Sequence, residues 1–144
     1  MKVSVILQKK GSTEVATIAP TAAASEAVRE LSRRRIGALV VTSERGRIAG
    51  IISERDIVRR LGEEGPGALA RPVSEIMTTT VQTCSPDDTA YDLLGRMTEG
   101  RFRHMPVMGA DDRMDGILSI GDVVKARLEE IEAENAAMAD MLSS

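Results

Sequence analysis

The spacing of apolar and polar positions divides this chain into the same succession of elements twice. A short strand over Glu14 to Ile18 is stopped by Ala19-Pro20-Thr21. Ala24, Ala27, Val28 and Leu31 then fall at i, i+3, i+4 and i+7, one helix face, and predict a helix from Ala22 to Arg34. Ala38 to Thr42 is an unbroken apolar run and predicts a buried strand. Ser43-Glu-Arg-Gly46 reads as a hairpin turn, with glycine where positive φ is needed. Arg47 to Ile52 is the next strand, and Ser53 opens a helix to about Leu61. Gly62-Glu-Glu-Gly-Pro-Gly67 is the most linker-like stretch and is expected to cross between the halves. The second half repeats the scheme: strand Val81 to Thr83, helix Thr89 to Thr98, strand His104 to Met108, turn Gly109 to Asp112, strand Arg113 to Leu118, and a long helix from Ser119.

The repetition reaches residue identity. Gly50-Ile-Ile-Ser-Glu-Arg-Asp56-Ile-Val recurs as Gly116-Ile-Leu-Ser-Ile-Gly-Asp122-Val-Val, 66 residues on. The same offset pairs Thr17 with Thr83, Pro20 with Pro86, Ala24 with Ala90, Arg35 with Arg101 and Val41 with Val107. Val3-Ser-Val-Ile-Leu7 is echoed by Val73-Ser-Glu-Ile-Met77 at an offset of 70, so one copy carries four extra residues near Lys9 to Thr13. A fixed long period marks a duplication. Two copies are too few for a solenoid, so two half-units about a pseudo-twofold axis are expected, with two related clefts between them. The fold class is α+β (mixed α/β), one module over residues 1–144. Its first repeat is expected at 1–70, its second at 71–132 and a helical extension at 133–144.

Composition then removes several functions. The 144 residues can bury one sizeable core, whereas each half of about seventy would be marginal alone. A net charge of −3 and a pI near 5.3 argue against a general nucleic-acid binder, which needs a basic face. No apolar run approaches the roughly 20 residues that span a bilayer, and the N-terminus lacks a signal-peptide apolar region. A cytoplasmic protein without a membrane partner is expected. The single cysteine, Cys84, has no internal disulfide partner, and no Cys/His cluster suggests a metal. With one Tyr, one Phe and no Trp, aliphatic side chains and the eight Met residues are expected to fill the core. No nucleophile–base pair, metal set or convergent carboxylate dyad is visible, so no enzyme is expected and no obligatory cofactor.

What chemistry there is lies in the repeated Ser-x-x-Asp, Ser53 with Asp56 and Ser119 with Asp122, each at a strand-to-helix junction. One reading is helix capping, in which the serine hydroxyl accepts from the N3 amide and the acidic N3 side chain returns the bond. The other is ligand binding. An ionised aspartate is acceptor-only and can take both hydroxyls of a ribose, while a helix N-terminus favours a nearby phosphate. The two are compatible, and the spacing leaves both open.

The Gly-hydrophobic-hydrophobic-Ser-x-x-Asp element, twice, each time after a strand of the type Ala38-Leu-Val-Val41 or His104-Met-Pro-Val107, resembles the CBS domain pair, or Bateman module. Ser53-Glu-Arg-Asp-Ile-Val58 and Arg101-Phe-Arg-His-Met-Pro-Val107 look most like small stand-alone bacterial members. The resemblance implies two βαββα repeats whose clefts bind AMP, ADP, ATP, NAD(H) or S-adenosylmethionine. It implies that Asp56 and Asp122 bind ribose, with Ser53 and Ser119 contacting ribose or phosphate. Thr17, Ile18, Thr83 and Cys84 match the strand end that holds adenine, and Ala38 and Pro106 the lining strands. Arg103 and His104 match a basic pair that reaches phosphate, commonly at the aspartate of the other repeat. Arg55 is a second candidate for phosphate. Because Gly37-Ala38 stands where Arg103-His104 does, and Gly121 where Arg55 does, the Asp56 cleft is expected to bind phosphorylated nucleotide more tightly.

Other features carry blander readings. Arg33-Arg34-Arg35 complements a helix C-terminus, Cys84 reads as a small buried residue, and the lone His104 lacks a second metal ligand. Val124, Leu128, Ile131, Asn135, Met138 and Leu142 are spaced 4-3-4-3-4, an a/d seam with Asn at an a position. With the helix-mediated pairing usual in the resembled family, the seam suggests a homodimer; the alternative is a helix folded over its own core. Two function classes remain: a regulatory, signal-transducing sensor of an adenosine-containing small molecule read by an unidentified protein effector, or an interaction module with vestigial clefts.

Overall fold

The computed structural model describes residues 1–11 and 15–143. In chain order it runs α1 (Val3–Lys10), β1 (Thr17–Ile18), α2 (Ala24–Arg34), β2 (Ala38–Thr42), β3 (Ile48–Ser53), α3 (Glu54–Glu64), a 3-10 turn (Pro66–Ala70), α4 (Val73–Ile76), α5 (Ala90–Gly100), β4 (His104–Met108), a second 3-10 turn (Ala110–Asp112), β5 (Met114–Ser119) and α6 (Ile120–Ser143). The mixed α/β class and the long C-terminal helix agree with the sequence pattern. Strands β2 and β4 match it residue for residue, and Gly46 takes the positive φ, 72°, that the first turn requires. The expected start of the first strand at Glu14, and part of the extra stretch near Lys9 to Thr13, lie outside the described residues.

The chain folds into two compact units, Val15–Val81 and Met1–Glu14 with Gln82–Ser144. They do not follow the repeat boundary at 70/71, because each unit completes itself with the segment that precedes the other repeat. In the first unit, Val73 and Ser74 of α4 donate to the carbonyls of Ala22 and Pro20 at 2.8 and 3.0 Å. In the second, Val3 and Ser4 of α1 donate to Asp88 and Pro86 at the same two distances. The pattern had placed no element over these head segments; each is an apolar helical turn that fills a core.

In the first unit β1 pairs parallel with β2, and β2 antiparallel with β3. Its core gathers Ile18, Ala24, Ala27, Leu31, Leu39, Val41, Ile52, Ile57, Val73 and Ile76. The second unit's core holds a counterpart of every one of these: Cys84, Ala90, Leu93, Met97, Met105, Val107, Leu118 and Val123 at the 66-residue offset, Val3 and Ile6 at the offset of 70. Sizes change in compensation, Ala27 becoming Leu93 while Ile18 becomes Cys84, as a close-packed interior requires. Both β-bulges recur, at Val41/Thr42 and Val107/Met108. Both long helices of the repeat end on an arginine in the left-handed region, Arg35 at φ 54° and Arg101 at 56°.

Three expectations are corrected. The strand at Val81 to Thr83 does not form; a single parallel bridge joins Cys84 to Val107. In the first unit the Val40 amide extends the pairing by donating to Ala16, but its counterpart is Pro106, which has no N–H to offer Gln82. Nor is Gly62 to Gly67 a linker between halves. Helix α3 continues through Glu64, whose carboxylate takes Arg60 and Arg71, and Arg71 also reaches Glu75 at 3.1 Å, binding α3 to α4 inside one unit. Of the eight Met residues, Met97 and Met105 are deeply buried, while Met138 and Met141 are exposed on α6.

Candidate functional site

Both Ser-x-x-Asp elements are helix caps. At the start of α3 the Ser53 amide donates to Asp56 Oδ2 at 2.9 Å, and the Asp56 amide donates to Ser53 Oγ at 3.3 Å. At the start of α6 the Ser119 amide donates to Asp122 Oδ2 at 2.9 Å, and the Asp122 amide to Ser119 Oγ at 3.2 Å. The capping reading therefore holds twice. It fixes each carboxylate at a strand-to-helix junction, half-buried, with one oxygen committed to the backbone.

The further partner of each carboxylate is where the two differ. Thr78 Oγ1 donates to Asp56 Oδ1 at 3.1 Å. At Asp122, Lys10 Nζ lies 2.9 Å from Oδ2 and also donates to the Ile117 carbonyl at 3.0 Å. Burial would raise the Asp122 pKa, but the Ser119 amide and the Lys10 ammonium outweigh it and hold the carboxyl below its usual value. Sequence reasoning missed both Thr78 and Lys10. The signal was present: each follows a copy of the echoed head segment, Val73–Met77 or Val3–Leu7, so both stretches are carried to comparable places.

Of the adenine-edge candidates, Thr17 and Ile18 form β1, Cys84 makes an isolated bridge and Thr83 lies in no strand. Thr17 and Ile18 pair with Val40 and Val41, and Cys84 with Val107; Ile18 and Cys84 are buried, Thr17 and Thr83 exposed. Burial pushes the Cys84 thiol up to about 12, Asp88 adding to the rise and Arg96 opposing it. Its Sγ meets the Pro106 carbonyl at 3.7 Å. Ala38 and Pro106 are buried in their strands. Of the cations, exposed Arg55 sits beside Asp56 in the first unit. Arg103 and His104 fold into the unit of Ser119 and Asp122: His104 pairs in register with Ser119, and the Arg103 carbonyl accepts from the Ile120 amide at 2.8 Å. Arg33 and Arg34 are both tied to Glu30. Among the described residues there is no group of acidic, His or Cys side chains that could hold a metal ion, and no helix is long and apolar enough to cross a membrane.

The family model of the CBS domain matches residues 11–63 and again 73–129. The chain belongs to the CBS domain family. As a CBS pair it is similar to a CBS-domain protein of Agrobacterium tumefaciens, 42% identical with a TM-score of 0.85, covering 88% of this chain and 99% of that one. A CBS domain protein from Pyrobaculum aerophilum, solved complexed with AMP, is 26% identical with a TM-score of 0.74 over 85% of this chain and 89% of its own. A CBS domain pair solved with 5′-methylthioadenosine and S-adenosyl-L-methionine is 25% identical with a TM-score of 0.78, covering 90% and 98%. This CBS pair spans 70% of the length of a curated relative from Acidianus ambivalens, and 54% of a mitochondrial one from Arabidopsis thaliana.

Proposed function

We propose that this CBS pair is a non-catalytic regulatory module that binds an adenosine-containing ligand and signals through a change of conformation. The observation that carries the reading is the twofold Ser–Asp cap: each carboxylate is pre-oriented and held by its own backbone, ready to accept ribose hydroxyls. Relatives solved with AMP, and with 5′-methylthioadenosine and S-adenosyl-L-methionine, support the ligand class. Ser53 and Ser119 would contact ribose or phosphate, with Arg55, Arg103 and His104 as cations for phosphate. Thr17, Ile18, Thr83 and Cys84 would border the base, beside Ala38 and Pro106. For signalling, ligand must bind one conformation better than another.

A thermal-shift panel of AMP, ADP, ATP, NAD+, NADH and S-adenosylmethionine tests this. A ligand at about 100 Kd should add roughly 2.7 kcal/mol of stability, and 2′-deoxy-AMP should add less than AMP. A panel with no shift, or equal shifts for AMP and its deoxy analogue, would remove the ribose role of the aspartates.

A homodimer through α6 is part of the same proposal. The inner face of that helix buries Val123 and Ala126, while Leu128, Ile131, Met138 and Leu142 of the 4-3 seam are 56%, 40%, 62% and 86% exposed. An apolar stripe at heptad spacing, interrupted by Asn135, fits a second copy of itself.

A further inference from the structure

The two carboxylates occupy matching places in the repeat and hold unlike partners. Asp56 takes an uncharged hydroxyl, that of Thr78. Asp122 takes an ammonium, that of Lys10. The Lys10 and Asp122 side chains are 35% and 25% exposed, so the pair is shielded yet reachable from solvent. Beside it lies a crevice of about 70 Å³ whose charged walls are Lys9, Lys10, Lys125, Asp122 and Glu129. Lys9 is drawn toward Glu129 at 3.5 Å, which leaves the crevice with more positive than negative charge.

Resting on the reading that Asp122 accepts ribose hydroxyls, we infer that Lys10 sets the specificity of the Asp122 site, selecting phosphate-bearing ligands over uncharged nucleosides. A diol that takes both carboxylate oxygens of Asp122 must share or displace the charge-assisted bond at Oδ2, one of the stronger hydrogen bonds in a protein. An uncharged nucleoside gives the displaced ammonium no anion in return, leaving it the Ile117 carbonyl and water. A phosphate gives it a new anionic partner, inside a crevice too small for a nucleoside but bordered by two further lysines. Thr78 gives Asp56 no such exchange, because losing its hydroxyl breaks no ion pair. The Asp122 site thus gains from Lys10 a phosphate preference that the repeated motif alone would not give it.

The test uses the full chain carrying Asp56→Ala, so that calorimetry reads the Asp122 site. AMP should bind about tenfold more tightly than adenosine, one charge-assisted contact's worth. Lys10→Met should narrow that ratio to about threefold or less, and Lys10→Arg should keep it. A general loss of folding would weaken both ligands together and leave the ratio alone. An unchanged ratio in Lys10→Met sinks the inference while the ribose reading stands. Inorganic pyrophosphate separates the reverse case: if adenosine and AMP are both silent but pyrophosphate stabilises the parent and not Lys10→Met, the ribose reading falls and the anion role of Lys10 survives. Silence of all three ligands overturns both.

Discussion

Gly50 lies so close to Thr78 that an added Cβ would sit 2.7 Å from the Thr78 carbonyl oxygen, and 2.8 Å from Met77 Sδ. Its counterpart Gly116 meets Leu7 Cδ2 at 2.8 Å. The glycine that opens each repeated motif is thus the seat for the head segment. Gly50→Ala should cost about 1–3 kcal/mol, the usual range for overpacking. Gly116→Ala should cost less, because a leucine methyl can rotate away and a backbone carbonyl cannot. Urea denaturation of both variants checks the order. Gly116→Ala with Leu7→Ala should cost less than the sum of the two singles.

The Asp122 carboxyl gives the second unit an acid-sensitive contribution. Its folded pKa is depressed, so the stabilisation is fully present above the unfolded value, near 3.9, and is lost as pH falls through the folded value. Melting temperature against pH should therefore fall less steeply below about pH 4 for Asp122→Asn than for the parent, with Lys10→Met intermediate. Parallel curves for parent and Asp122→Asn would contradict this.

Cys84 should be inert while the protein is folded. A thiol pushed up to about 12 and buried offers almost no thiolate at pH 8. Iodoacetamide should label it at least about a hundredfold faster in 8 M urea than in buffer, followed by mass spectrometry. Rapid native labelling would show that the β-edge around Cys84 opens.

The exposed stripe on α6 predicts the oligomeric state. Ile131→Asp with Met138→Asp places charges on the seam without touching Val123 or Ala126, and should leave a folded monomer in sedimentation equilibrium. A chain truncated after Leu128 should behave alike. If either variant still dimerises, another surface holds the pair.

Much of the architecture was legible because duplication doubles every signal. β2 and β4 are apolar runs with no competing periodicity, and Ser53 and Ser119 announce helix starts through local hydrogen bonding that spacing alone encodes. Val81 to Thr83 was misread because pairing there depends on a proline in another strand, at position 106. Gly62 looked like punctuation, yet the ion pairs of Glu64 with Arg60 and Arg71 carry the helix past it.

The amino-acid order alone settled the duplication, the mixed α/β class and the place of the two Ser-x-x-Asp elements, since identity recurs at a fixed offset and periodicity and motif depend on residues a few positions apart. Only the tertiary structure revealed that each unit borrows its head segment, and that this brings Thr78 to Asp56 but Lys10 to Asp122. Those pairings span 22 and 112 residues, and no local rule of spacing or periodicity reaches so far: they exist because apolar helical turns at Val3 and Val73 could bury themselves only there.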